Sequence, residues 1–218
     1  MYVTNKTRHI RETLKHLLYS EQFVTDKTGC KMIEIPGACF IADEPAIFGT
    51  PSEDYINREI TWYEGQSRNV NDIPAPVPAI WKAVATPDGR INSNYGWCIY
   101  SEENQNQYLN CYSTLRNDLE SRRAVMIYTR PSMQSEFNTD GMSDFMCTNT
   151  VQYLARNGYL HAVVQMRSND VVFGYKNDYA WQKHVQTKLA DDLKLLPGHI
   201  HWQVGSLHVY EKHFGLVK

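Results

Sequence analysis

The sequence predicts a single α/β domain built on a large mixed sheet flanked by helices, and three observations carry that prediction. Segments of helical period alternate with β-branched or two-residue-period runs along the whole chain. The 218 residues suit one domain with a sizeable core, and no linker, internal repeat or low-complexity tract divides 1–218. The bulk properties exclude several other classes. A formal net charge of −2 with no Lys/Arg tract gives no field for nucleic acid. Five cysteines, an odd number without a CxxC pair, argue against a disulfide framework or a zinc knuckle and fit reduced thiols in a cytoplasm. The N-terminal MYVTNKTRHIRETLKHLLYS is charged and lacks the apolar stretch of a signal peptide, and no window approaches membrane-spanning length. A cytoplasmic protein without membrane or nucleic-acid contacts is therefore expected. Fourteen tyrosines and five tryptophans serve core and interface packing first, and stacking on planar rings second.

Taken in order, residues 4–20 read as an amphipathic helix with Ile10, Leu14, Leu17 and Leu18 on one face. Asp26-Lys27-Thr28-Gly29 is a turn before the alternating strand KMIEIPGACFIA, in which Pro36-Gly37 marks a bend or bulge. Ser52 caps a helix running to about Glu64, with Tyr55, Ile56, Ile60 and Tyr63 inward. Pro74, Pro76 and Pro78 make 71–78 a loop, Ile80-Trp81 opens a short apolar run, and Pro87-Asp88-Gly89 turns the chain. Residues 102–119 form a surface helix with a Tyr108/Cys111/Tyr112/Leu115 stripe. Arg122-Arg123 introduces AVMIYT, a buried strand, and 131–143 is loop. Cys147 lies within FMCTNTVQYL, which alternates like a half-buried strand. YLHAVVQMRSNDVVFG reads as a buried strand pair interrupted by Arg167-Ser168-Asn169-Asp170. Asn177-Asp178 opens a helix over Tyr179 to about Leu196, with Asp178 as N-cap and Pro197-Gly198 as its stop. The run from His199 onward alternates as a last strand.

A thiol, an arginine beside a hydroxyl, and an acid thus sit near element ends within 141–182. Taken alone, each has an ordinary reading: Cys147 as an inert core residue, Arg122-Arg123 as a solvated loop, Glu59 as a surface helix glutamate, Asp178 as a cap. The phrases DGMSDFMCTNTVQYL and MRSNDVVFG resemble the thymidylate synthase superfamily, most strongly its branch that hydroxymethylates deoxycytidylate in T-even phages, from about residue 20 to the C-terminus. The resemblance implies the thymidylate synthase fold, with sheets packed back to back in an obligate homodimer. It implies that Cys147 is the nucleophile adding to C6 of a pyrimidine nucleotide, with Glu59 as general acid/base organising water and Tyr95 nearby. It further implies that Lys27, Arg167 and Ser168 hold the phosphate, joined by Arg122 and Arg123 from the partner subunit, while His208 and Tyr210 bond the sugar hydroxyl. Asp170 and Gly174 contact folate, and Ile80 and Trp81 form an apolar wall for its rings. The co-substrate implied is 5,10-methylenetetrahydrofolate.

The chemistry explains why such residues are needed. C5 of cytosine is a poor nucleophile, and thiolate addition at C6 turns it into a carbanion able to attack a one-carbon unit. Guanidinium forks and a hydroxyl bind a phosphate dianion. The resemblance implies that Asp178 reads the base: where thymidylate synthases have asparagine, which serves uracil O4 and N3–H, a carboxylate accepts from the cytosine N4 amino group, and unpaired polar groups reject the wrong base. The expected activity is transfer to dCMP C5 followed by water addition, giving 5-hydroxymethyl-dCMP, a precursor of modified phage DNA. The alternatives are a dCMP methylase, a CMP-preferring hydroxymethylase of the same fold, and an idle nucleotide-binding relative. Three departures stand out: Met146-Cys147-Thr148 replaces the synthase Pro-Cys-His, Lys27 replaces an arginine, and the chain stops at Lys218 where relatives continue with a tail that closes over folate. The His199/His201 and His208/His213 pairs lack a nearby carboxylate or cysteine ligand, so no metal is expected.

Overall fold

The computed structural model describes residues 5–218. In chain order the first elements are α1 (Thr7–Tyr19), β1 (Val24–Thr25) and β2 (Lys31–Ile41). Next come α2 (Glu53–Glu64), α3 (Ala79–Val84), α4 (Tyr95–Tyr100), α5 (Gln107–Asn117), β3 (Val125–Ile127), α6 (Met133–Glu136) and β4 (Thr148–Arg156). The last are β5 (Tyr159–Asp170), α7 (Gly174–Leu193), β6 (Leu196–Tyr210) and α8 (Phe214–Val217). The chain divides into two compact units, one of residues 1–51 with 156–218 and the other of residues 52–155.

The first unit is organised by strands in the order β1-β2-β6-β5. Neighbours are antiparallel except β5 and β6, which run parallel, so the sheet is mixed as expected. Helix α7 covers one face, where the Gln186 side chain donates to Leu160 O at 2.8 Å and Gly198 O at 3.2 Å. Its Tyr175 packs down onto Phe40 of β2 and Trp202 of β6. On β5 and β6 the alternate residues His161, Val163 and Gln165, with His199, His201 and Gln203, stay half-buried or exposed. Helix α1 buries Thr7, Ile10 and Leu14; the part of its expected start at Thr4 lies outside the described residues. At Pro36-Gly37 the chain bends without a bulge, because the pairing keeps one register from Ile35↔Leu207 through Ala38↔Val204. Gly37 takes a positive φ of 65° there, which a side chain would strain.

Four expectations need correction in this region. The polar Arg167–Asp170 cluster does not interrupt a strand pair: β5 is continuous to Asp170, paired to β6 through Ser168↔Ser206 and Asp170↔His208. Ladder bonds are made by backbone, so side-chain polarity does not break them. Helix α7 opens at Gly174, which places Asp178 in its second turn rather than at its cap. The Asp170 carboxylate causes the earlier start, accepting from Val172 N at 2.6 Å and Phe173 N at 2.9 Å and turning the chain there. That helix also ends early, at Leu193, with Lys194 in the left-handed region, and Leu196-Pro197-Gly198 already belong to β6. The last strand stops at Tyr210 and gives way to helical turns.

In the second unit, Ser52 caps α2 by accepting from Tyr55 N at 3.3 Å. Helices α2 and α4 touch closely: a Cβ built on Gly96 would lie 1.7 Å from Tyr63 O, so only glycine fits. A run of aromatic contacts follows, Tyr63 stacked on Tyr95 and Tyr95 edge-on to Tyr128. Strand β3 pairs antiparallel with β4, as in Met126↔Val151. The 102–119 stripe forms α5, with Tyr108, Cys111 and Leu115 buried and Tyr112 half-buried. The expected 131–143 loop contains the short α6, and Cys147 precedes β4 rather than lying within it.

Candidate active site

In the unit of residues 52–155, Glu59 is the unusual residue. The amphipathic reading turned Tyr55, Ile56 and Ile60 inward, yet these are only half-buried while Glu59 is 5% exposed. Its Oε1 accepts from the Tyr55 hydroxyl at 2.5 Å, and that hydroxyl accepts from the Trp81 indole N–H at 2.9 Å. Burial pushes the Glu59 carboxyl up to about 7, against hydrogen bonds from Tyr55, Trp81 and Tyr63 that pull it down. A carboxyl that titrates near neutrality can both give and take a proton. Trp81 is therefore a hydrogen-bonding partner as well as an apolar surface; its neighbour Ile80 is 66% exposed.

Tyr95 and Cys147 are held through Asp144. This buried carboxylate accepts from Asn92 N, Ser93 N and Ser93 Oγ, each at 2.7 Å. It ties the segment entering α4, where Asn94 caps Trp97 N at 2.7 Å, to the segment three residues before the thiol. Cys147 is half-buried at the mouth of β4. Its neighbours Met146 and Thr148 are fully buried, and they fix the backbone on either side. Arg122 and Arg123 are exposed at the entry to β3. The Gln152 amide donates to Arg122 O at 2.8 Å, and Arg123 N donates to Ser121 Oγ at 3.3 Å. Neither guanidinium has an ion-pair partner among the described residues.

In the other unit, the sheet register sets Ser168 beside Ser206, and Asp170 beside His208, which in turn faces Glu34. Gly205 allows this approach, since a Cβ there would be 2.7 Å from Arg167 O. His208 is buried, its Nδ1 3.3 Å from both Ser206 O and Ser206 Oγ, and its ring meets Tyr210 edge-on. The Ser206 hydroxyl donates to Glu34 Oε1. Arg167 is exposed on β5. Lys27 lies in a turn shaped by Asp26 Oδ1, which accepts from Thr28 N at 2.8 Å and Cys30 N at 3.0 Å. Lys27 is exposed and has no ion-pair partner among the described residues. Asp178, half-buried on α7, accepts at Oδ2 from Asn169 Nδ2 at 2.7 Å. Gly174 lies beside that bond, where an added Cβ would be 3.1 Å from Asn169 Nδ2.

Sequence reasoning missed Tyr55 as a proton partner, Asp144 as a clamp and Asn169 as the neighbour of Asp178. Only Tyr55 left a local signal, its i,i+4 spacing from Glu59 on one helix. Among the described residues no group of three or more His, Cys, Asp or Glu could hold a metal ion, and no helix is long and apolar enough to cross a membrane.

The thymidylate synthase family model matches residues 10–218. The chain is 57% identical over 215 residues to the deoxycytidylate 5-hydroxymethyltransferases of Enterobacteria phages T4 and T2, covering 95% of this chain and 87% of each relative. It is 26% identical over 168 residues to a thymidylate synthase of Bacillus subtilis subsp. natto, covering 74% of this chain and 58% of that protein.

Proposed function

Because the chain belongs to the thymidylate synthase family, we propose that it is a dCMP 5-hydroxymethyltransferase using 5,10-methylenetetrahydrofolate as one-carbon donor. The observation that carries this reading is the near full-length identity of 57% to enzymes of that name. The family match over residues 10–218 supports treating 1–218 as one catalytic domain. In this reading the enzyme works in a cytoplasm.

In this reading the Cys147 thiolate adds to C6 of dCMP, and the electron pair displaced onto C5 attacks the methylene carbon of the folate. C5 then gives up its proton, tetrahydrofolate departs, and an exocyclic methylene remains on the ring. Water adds to that methylene, losing a proton, and the thiolate leaves C6. The net change is dCMP, methylenetetrahydrofolate and water to 5-hydroxymethyl-dCMP and tetrahydrofolate. Glu59 is the general acid/base: its carboxyl, titrating near 7 and bonded by Tyr55, suits proton transfer and the ordering of water. Tyr95 backs this machinery through its stack on Tyr63. Lys27, Arg167 and Ser168 bind the phosphate, His208 and Tyr210 the sugar, and Asp178 the cytosine amino group. Asp170 and Gly174 contact folate, against a wall of Ile80 and Trp81. The exposed apolar Ile80, and a Trp81 held by its indole N–H, fit a flat aromatic guest.

The working form in this reading is a homodimer in which Arg122 and Arg123 reach the partner's phosphate site. Two features support it: the outward residues of β5 and β6, and guanidiniums without ion-pair partners among the described residues. Release of tritium from C5-labelled dCMP tests the chemistry. Release that requires folate and disappears in Cys147→Ala is expected, whereas no release from wild-type protein would leave only an idle nucleotide binder.

A further inference from the structure

We propose that Asn169 is the residue that makes Asp178 selective for cytosine, by fixing which way its carboxylate presents itself. The inference rests on Asp178 being the reader of the base. Asn169 is almost fully buried, 2% exposed, near the end of β5. Its Oδ1 accepts from the Trp202 indole N–H at 3.2 Å, and its Nδ2 donates to Asp178 Oδ2 at 2.7 Å. The direction of this relay is fixed by chemistry. An indole N–H only donates, so the amide atom facing Trp202 must be oxygen, and the atom facing Asp178 must be nitrogen. Trp202 is itself fully buried under α7 and has no room to turn.

Two consequences follow for residue 178. The amide N–H pins Oδ2 and with it the plane of the carboxylate, so the side chain enters the base site in one orientation, as an acceptor. A cytosine N4 amino group can donate to an acceptor placed there; uracil O4 cannot. The same N–H would also orient an asparagine at 178, because two amide nitrogens cannot bond each other. The asparagine oxygen would turn to Asn169 and its NH₂ to the base, the arrangement uracil O4 needs. Asn169 thus converts the chemical identity of residue 178 into a base preference. Gly174 leaves the room for this: a Cβ would stand 3.1 Å from Asn169 Nδ2 and 3.5 Å from Asp178 Oδ2, pressing on the bond from above.

The test compares kcat/KM for dCMP and dUMP, read by tritium release from C5, in wild type, Asp178→Asn, Asn169→Leu, Trp202→Phe and the double variant Asn169→Leu/Asp178→Asn. Circular dichroism and melting report folding. Asn169→Leu, near in shape but without donor or acceptor, is expected to reduce the dCMP:dUMP preference by about tenfold to a hundredfold, the scale of one hydrogen bond to a charged group. Trp202→Phe keeps the amide but frees it to flip, and should move the preference in the same direction by less, which supplies a reading if Asn169→Leu does not fold. In the double variant the preference gained by Asp178→Asn should largely vanish. If Asp178→Asn shifts the preference while Asn169→Leu and Trp202→Phe leave it at the wild-type ratio, the inference is wrong and Asp178 remains the reader. If Asp178→Asn itself changes nothing, the reading of Asp178 fails instead.

Discussion

Burying a glutamate is costly in its charged form, so the side chain keeps its proton to higher pH. Glu59 lies inside its unit with a tyrosine hydroxyl at 2.5 Å, and burial raises its carboxyl from 4.5 to about 7. The folded state therefore holds a proton that the unfolded chain has lost. Relative to Glu59→Gln, wild-type stability is fully present below about pH 4.5 and falls as pH rises through 7, by about 3 kcal/mol from the size of the shift. Denaturant unfolding of both proteins at pH 5 and pH 8 checks the sign; equal pH dependence would mean the carboxyl is not held neutral. The same substitution is expected to lower kcat by about 10²–10⁴ at pH 7, the usual contribution of a placed acid/base. Sequence gave no warning of this burial, since an i,i+4 pattern with charges outside is the default for a helix glutamate. Asp178 misled for a related reason. Asp ahead of a helical run is the ordinary N-cap, and nothing local reveals that Asp170 has already turned the chain four residues before Gly174.

At the scale of elements, what was legible depended on how local the determinant is. The Ser52 cap, the α5 stripe and the β2 strand each rest on neighbours a few residues away, and each stands as read. The polar Arg167–Asp170 stretch suggests a break in β5, whereas the strand's continuity comes from its pairing with the distant β6. The contact of α2 with α4 is likewise nonlocal: nothing in Asn-Tyr-Gly announces that Gly96 meets Tyr63 O. Helix α2 carries Glu59 and α4 carries Tyr95, so this approach sets their spacing. Gly96→Ala is expected to cost about 3 kcal/mol, the upper range for forced overpacking, and to lower activity together with the melting temperature. An unchanged melting temperature would show that the two helices can part without consequence.

For the whole molecule, the proposed shared-site dimer makes a prediction of its own. Cys147→Ala and Arg123→Ala, each inactive alone, should complement when their subunits are mixed, because one hybrid site combines an intact thiol with an intact arginine. Random exchange gives half hybrids with one good site each, so recovery of about a quarter of wild-type activity is expected. No recovery in a mass-verified hybrid would mean the arginines serve their own subunit. Strands were readable from alternation, but the proposed base preference is not, since in that reading it turns on one carboxylate and the amide that donates to it.

The most direct test is the mass of the product formed from dCMP, CMP and dUMP, each offered with methylenetetrahydrofolate, alongside assay of the folate released. A gain of one CH₂O on dCMP, with tetrahydrofolate and no dihydrofolate, is the expected result. A gain of CH₂ with dihydrofolate, or turnover confined to dUMP or CMP, would contradict hydroxymethyl transfer to dCMP.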